Sequence, residues 1–198
     1  MITTKKMYLE KGPEKPLSMH PKKFALWLFL VSVMMLFAAF TSAFIVKKGE
    51  SNWVEFPIPD ILWVSTAVLF LSSLTMQWAF SAAKKDELEK LKLALFITFT
   101  LGVLFLCGQY MAWQKLYQSG IYFGGSQSHP SGSYLYVFTG IHGIHLISGV
   151  IFLFIVLIYS FKYKIHSKNM LSIEMCATYW HFLDALWIYL FVFLLLNH

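Results

Sequence analysis

Five long apolar runs, at residues 24–46, 61–83, 93–113, 134–161 and 173–196, divide the chain, and polar or charged segments separate them. Each run meets the length of about 20 apolar residues that an α-helix needs to cross a hydrocarbon core of about 30 Å. The runs are too long and too evenly apolar for barrel strands, and an open sheet leaves backbone groups unsatisfied in lipid. The pattern therefore predicts an all-α polytopic membrane protein, a five-transmembrane-helix bundle forming one membrane domain over residues 24–198. Residues 1–23, with Pro13, Pro16 and Pro21 among six lysines, are expected to form an extended or disordered arm that ends where Pro21 can start a helix. The apolar run behind this arm is far longer than the 7 to 15 residues of a signal peptide, so it reads as a retained first span.

The connections differ in kind. "KKDELEKLK" between spans two and three is short and charge-alternating, which predicts a tight antiparallel pair with helix continuing past the bilayer surface. "YQSGIYFGGSQSHPSGS" between spans three and four is long and rich in Gly and Ser, as partner-facing loops often are. Before span two, Trp53 stands at an interfacial position and Asp60 is placed to cap the helix. No internal repeat at a fixed period is visible.

Composition agrees with the membrane reading: 58% of the 198 residues are hydrophobic and 13% charged, outside the soluble range. All sixteen basic residues are lysines. Six lie in the arm, four in the second connection and three in the fourth, against two in the first connection and one in the third. This asymmetry predicts a cytoplasmic N-terminus and a periplasmic C-terminus. The net charge of +6 is then a matter of topology and anionic lipid, with no nucleic-acid partner implied. Cys107 and Cys176 both fall within spans, where buried thiols are ordinary and a disulfide framework is not expected.

Ionisable residues inside spans are costly and mark the candidate site. Span four carries His142, His145 and Gly149 on one helical face; span five carries Glu174, His181 and Asp184 on one face. At about 1.5 Å per residue, His145 and Asp184 both lie roughly 17 to 18 Å below the same surface, so they can meet near the midplane. Three readings fit this cluster. A metal or bis-histidine haem site has the right ligand types but few carboxylates at that depth. A proton path needs carriers across the full depth, and spans one to three supply only Gln109, Ser and Thr. A structural polar seam of His142, His145, His181 and Asp184 fixes helix register, with His145 and Asp184 hydrogen-bonded or close. On this third reading, Asp184→Ala orphans a buried partner at about 1 to 3 kcal/mol. Glu174, at the start of span five, suits a lysine, the helix N-terminus or a lipid headgroup. Trp180 and Trp187, seven apart, form a rail against a neighbouring helix or interface.

At these residues the sequence resembles subunit III of the haem-copper terminal oxidases, the cytochrome c and quinol oxidase family. Glu174 followed by "YWHFLDALW" is similar to the family's last-helix pattern, and "TGIHGIH" at 139–145 with Gly149 to its His-rich signature. "WLFLVS" at 27–32, "LFLSSLT" at 69–75 and "LGVLFLCGQ" at 101–109 follow in the same order. The resemblance implies a short five-helix bacterial form lacking the first two helices of the longer one, multi-pass in the bacterial inner membrane. It implies an accessory, non-catalytic chain of a proton-pumping cytochrome-c oxidase, stabilising subunit I, holding phospholipid and supporting proton uptake and oxygen reduction. The implied alternatives are a quinol oxidase subunit III or a related protein of nitric oxide reductases. No cofactor or metal is implied on this chain; haem and copper belong to partner subunits. The implied partners are subunit I directly, subunit II, a small fourth subunit or second subunit-III-like chain, membrane lipids and a larger respiratory supercomplex. Two family glutamates are replaced, by Val33 and Ala112, and with no arginine present Lys22, Lys23 and Lys92 are the lipid or interface candidates with Glu174, Trp180 and Trp187.

Overall fold

The computed structural model describes residues 20–49, 59–125, 128–163, 165 and 169–197. Among them it contains five helices, α1 (Pro21–Lys48), α2 (Ile61–Lys84), α3 (Leu88–Gln118), α4 (Pro130–Phe161) and α5 (Leu171–Asn197), and no strand. Each is long and apolar enough to cross a membrane. Most of the N-terminal arm and Trp53 lie outside the described residues.

The ends follow local chemistry. Pro21 opens α1, and His20 caps it by accepting the Lys22 backbone N–H at 3.2 Å, so residues 21–23, assigned to the arm from sequence, are already helical. Pro130 likewise opens α4. The expected cap on α2 is not made by a side chain: Asp60 stands at the N-cap position in helical conformation without a side-chain cap bond. The α2–α3 turn closes as expected into a tight antiparallel pair. Asp86, at φ 55°, is the left-handed residue of a Schellman closure in which the N–H groups of Asp86 and Glu87 donate to the carbonyls of Ala83 and Ala82. The same closure ends α3, with Gly120 at φ +80° and Ile121 donating to the Leu116 carbonyl. At 31 and 32 residues, α3 and α4 exceed the hydrocarbon core, so the α2–α3 turn and the loop after α3 stand clear of it.

Backbone contacts join α2 to α3 and α5, α3 to α4, α4 to α5, and α1 only to α4 and α5. Burial makes the last helix the central post. Half of its most apolar stretch is buried by the others, against no more than a third for each of the rest. α1 stands to one side, with an open groove between it and α2 floored by α5.

Between helices, glycine permits close approach at two positions. A Cβ on Gly102 of α3 would lie 2.7 Å from the Trp180 ring, and one on Gly149 of α4 would lie 2.8 Å from Leu183 Cδ1. With little hydrophobic force between helices in lipid, such small-residue contacts and interhelical hydrogen bonds hold the bundle.

Candidate functional site

His142, His145, His181 and Asp184 are all buried or half-buried, but they face three different neighbours. His145 turns toward α1. Its ring lies 6.2 Å from Phe29 and 6.0 Å from Phe37, centre to centre, and its Nδ1 donates to the Ile141 carbonyl of its own helix at 2.8 Å. His142, fully buried, packs 5.0 Å from the Trp187 ring and 6.0 Å from Phe105, and neither ring nitrogen has a hydrogen-bond partner.

His181 faces α2, where its Nδ1 lies 2.8 Å from Ser73 Oγ. Asp184 is 4% exposed and lies beside Ser73, whose hydroxyl is paired with His181; neither carboxyl oxygen has a partner in hydrogen-bonding geometry. Of the expected His145–Asp184 pairing, hydrogen-bonded or close, the hydrogen bond is not made. The reason is rotational: residues that share one face of an isolated helix are divided when that face is wide enough to meet two neighbours. What joins α4 to α5 is Tyr179, whose hydroxyl lies 2.6 Å from Ser148 Oγ and donates to the His145 carbonyl at 3.2 Å.

Trp180 and Trp187 are each 1% exposed, so they touch neither lipid nor an external partner; their place is the core. The Trp180 indole N–H donates to Ser72 Oγ at 2.8 Å and that of Trp187 to Thr66 Oγ1 at 3.0 Å. Together with His181–Ser73 these form rungs between antiparallel helices, with Ser72 and Ser73 meeting residues 180 and 181 and Thr66, earlier on α2, meeting Trp187, later on α5. The Ser and Thr partners on α2 were missed in the sequence. Their signal was there: Thr66 and the Ser72–Ser73 pair stand six to seven residues apart on α2, close to the spacing of the tryptophans on α5.

Glu174, at the first turn of α5, forms an ion pair with Lys23 of α1, the lysine partnership open to it from sequence. Lys22 is exposed. Lys92 donates to Glu89 at 2.8 Å and lies over the Tyr163 ring at 4.7 Å. Val33 and Ala112 are 3% and 1% exposed and belong to apolar clusters, Val33 with Phe37, Leu186 and Leu190, Ala112 with Leu62, Phe105 and Trp187. Cys176 is buried and Cys107 exposed, both free.

Among the described residues no three His, Cys, Asp or Glu side chains are grouped to hold a metal ion. The arrangement consists of single hydrogen bonds between helices, which fix rotation and register. Fold and site together define a polytopic helical membrane protein in which several polar side chains tie one helix to another.

The family model for cytochrome c oxidase subunit III matches residues 10–197, and the chain belongs to that family. Among similar proteins, the probable cytochrome c oxidase subunit 3 of Rickettsia bellii is 31% identical over 198 residues, covering 88% of this chain and 68% of its own length. The probable cytochrome c oxidase subunit 3 of Nocardia farcinica is 32% identical, covering 83% of this chain and 82% of its own length. The cytochrome bo(3) ubiquinol oxidase subunit 3 of Buchnera aphidicola is 30% identical, covering 89% of this chain and 94% of its own length. The chain is a subunit III of a haem-copper oxidase, and a membrane component of that multi-subunit complex.

Proposed function

We propose that this chain is the accessory, redox-silent subunit III of a bacterial inner-membrane cytochrome c oxidase, a complex that passes electrons from cytochrome c to oxygen and pumps protons. The observation that carries the reading is the family match across residues 10–197, supported by the two relatives named as cytochrome c oxidase subunits. The chain stabilises subunit I, holds phospholipid at their interface and supports proton uptake. Subunit II, a small fourth subunit or second subunit-III-like chain, and a larger respiratory assembly complete its surroundings. The seam of His142, His145, His181 and Asp184 acts in this reading as helix register, with the redox chemistry in the neighbouring subunits.

The lysine distribution supports a cytoplasmic N-terminus. Lys22, Lys23, Lys84, Lys85, Lys90, Lys92 and Lys162 gather at one end of the bundle, against Lys47, Lys48 and Lys115 at the other. Lipid holding is supported at that same end, where a cavity of about 410 Å³ in the groove between α1 and α2 is lined by Lys23, Leu26, Trp27, Glu174 and His181. In this reading Lys23 in the lining, with exposed Lys22 beside it in sequence, meets a lipid phosphate, and Leu26, Trp27 and Phe80 offer apolar surface to an acyl chain.

Isolation in mild detergent is the test. Copurification with subunits I and II, a haem spectrum that travels with the complex, and turnover on reduced cytochrome c are expected, while this polypeptide separated from the others carries no stoichiometric haem or copper. The Buchnera relative favours one second reading, a quinol oxidase subunit. Turnover on quinol but not on cytochrome c selects it, and nitric oxide as the only substrate reduced would transfer the chain to a reductase of that gas.

A further inference from the structure

At the lysine-poor end of the bundle, where α3 runs into the loop before α4, a cavity of about 660 Å³ opens to the surface. Five aromatic side chains line it: Trp113, Tyr117, Tyr122, Phe123 and Tyr136. Their planes stand at steep angles to one another. Tyr117 and Tyr122 meet at 82° with centres 5.2 Å apart, Phe123 and Tyr136 at 84° and 6.1 Å, Trp113 and Tyr136 at 54° and 6.3 Å.

Interfacial aromatic residues ordinarily present their polar tips to the headgroup layer. Two of these do the reverse. The Trp113 N–H donates inward to Thr139 Oγ1 at 2.9 Å, and the Tyr136 hydroxyl lies 3.0 Å from the Ile121 carbonyl and 3.3 Å from that of Trp113. The loop is pinned over α4 by these bonds and by Ser133 Oγ donating to the Phe123 carbonyl at 2.7 Å. With those donors engaged, Trp113 and Tyr136 have only their rings left to offer a ligand.

No charged residue is among the described residues that line the cavity. Lys115, on α3, is turned about 130° from the centre of the lining face formed by Trp113, Gln114, Tyr117 and Gln118. That face is the carbonyl end of α3, where the helix dipole favours positive charge. Gln114 and Gln118, one turn apart, add amide oxygens as acceptors.

We propose that this cavity is an aromatic cage for an organic ammonium ion of the choline type, either free or as the headgroup of a lipid. Steeply angled π faces without a competing cation recognise a quaternary ammonium, for which aromatic cages are the recurring solution. The volume exceeds that of the ammonium group alone and lies in the range of sites for whole small ligands, so the remainder of the headgroup fits within the mouth.

The probe is choline chloride, added to the purified oxidase complex in dodecyl maltoside and read by saturation-transfer difference NMR on its trimethylammonium protons. A choline signal is expected, with none from the neutral isostere 3,3-dimethyl-1-butanol. Tyr117 and Phe123 are 63% and 62% exposed, so Tyr117→Ala and Phe123→Ala leave the fold intact. Each should weaken choline affinity about fivefold. Mixed micelles containing phosphatidylcholine displace the choline if the lipid headgroup is the occupant, and phosphatidylglycerol micelles do not; choline undisturbed by either assigns the site to the free cation. Absence of a choline signal, an equal signal from the isostere, or affinities unchanged in both variants overturns the proposal.

Discussion

Gly102→Ala places one methyl group against the buried, hydrogen-bonded ring of Trp180. The new Cβ would stand 2.7 Å from Trp180 Cη2, 3.2 Å from Cζ2 and 3.3 Å from Val150 Cγ2. The first distance is about 0.7 Å short of ordinary carbon contact, on the steep repulsive wall of the potential. Trp180 has little room to retreat: it is 1% exposed and its N–H is fixed on Ser72 Oγ at 2.8 Å. Either α3 moves away from α5 or the indole leaves its hydrogen bond, and overpacking of this kind costs about 1 to 3 kcal/mol. Gly149→Ala is the internal control. Its closest contact is similar, at 2.8 Å, but the atom met is Leu183 Cδ1, the end of a flexible side chain, and the ring atoms of Trp180 remain at 3.6 Å. The smaller loss is therefore expected at Gly149. Unfolding of the chain in mixed micelles by increasing sodium dodecyl sulfate, followed by tryptophan fluorescence, reads both variants. Trp180→Phe removes the colliding ring atoms, so Gly102→Ala in that background should cost less than in the parent. If Gly102→Ala is as mild as Gly149→Ala, or the Phe background does not relieve it, Trp180 does not set the spacing of α3 and α5.

The same unfolding measurement checks three more expectations. Ser73→Ala leaves half-buried His181 without its hydrogen-bond partner and should cost about 1 kcal/mol, more than Asp184→Asn, because neither Asp184 carboxyl oxygen accepts a hydrogen bond; the reverse order would show that Asp184, not Ser73, holds the α2–α5 seam. The Lys23–Glu174 pair is 38% and 32% exposed, so screening should keep its coupling in a double-mutant cycle below about 1 kcal/mol, falling with added salt; a larger, salt-insensitive coupling would contradict its solvent-accessible setting. Gly120→Ala meets no atom within 4 Å but must hold φ +80°, so its cost of about 1 kcal/mol should be conformational, and Gly120→Asn should recover part of it.

Hydrophobic patterning alone determined the number of helices, their approximate limits and the α2–α3 hairpin, because the bilayer sets a length scale that each span must meet by itself. Glu174's suitability for a lysine was also legible, since a carboxylate at a helix start beside a lysine-rich arm has few other uses. Partner choice along the seam was not. Periodicity places His142, His145, His181 and Asp184 at a depth and on a face, but a face about 100° wide on a central helix touches more than one neighbour. Only packing assigned His145 to α1, His181 to Ser73 of α2, and Trp180 and Trp187 to Ser72 and Thr66. The same holds for the two tryptophans as candidate surface residues. An amphipathic indole suits an interface and a hydrogen-bonded core equally well, and the choice between them is made by hydroxyls on another helix more than a hundred residues away.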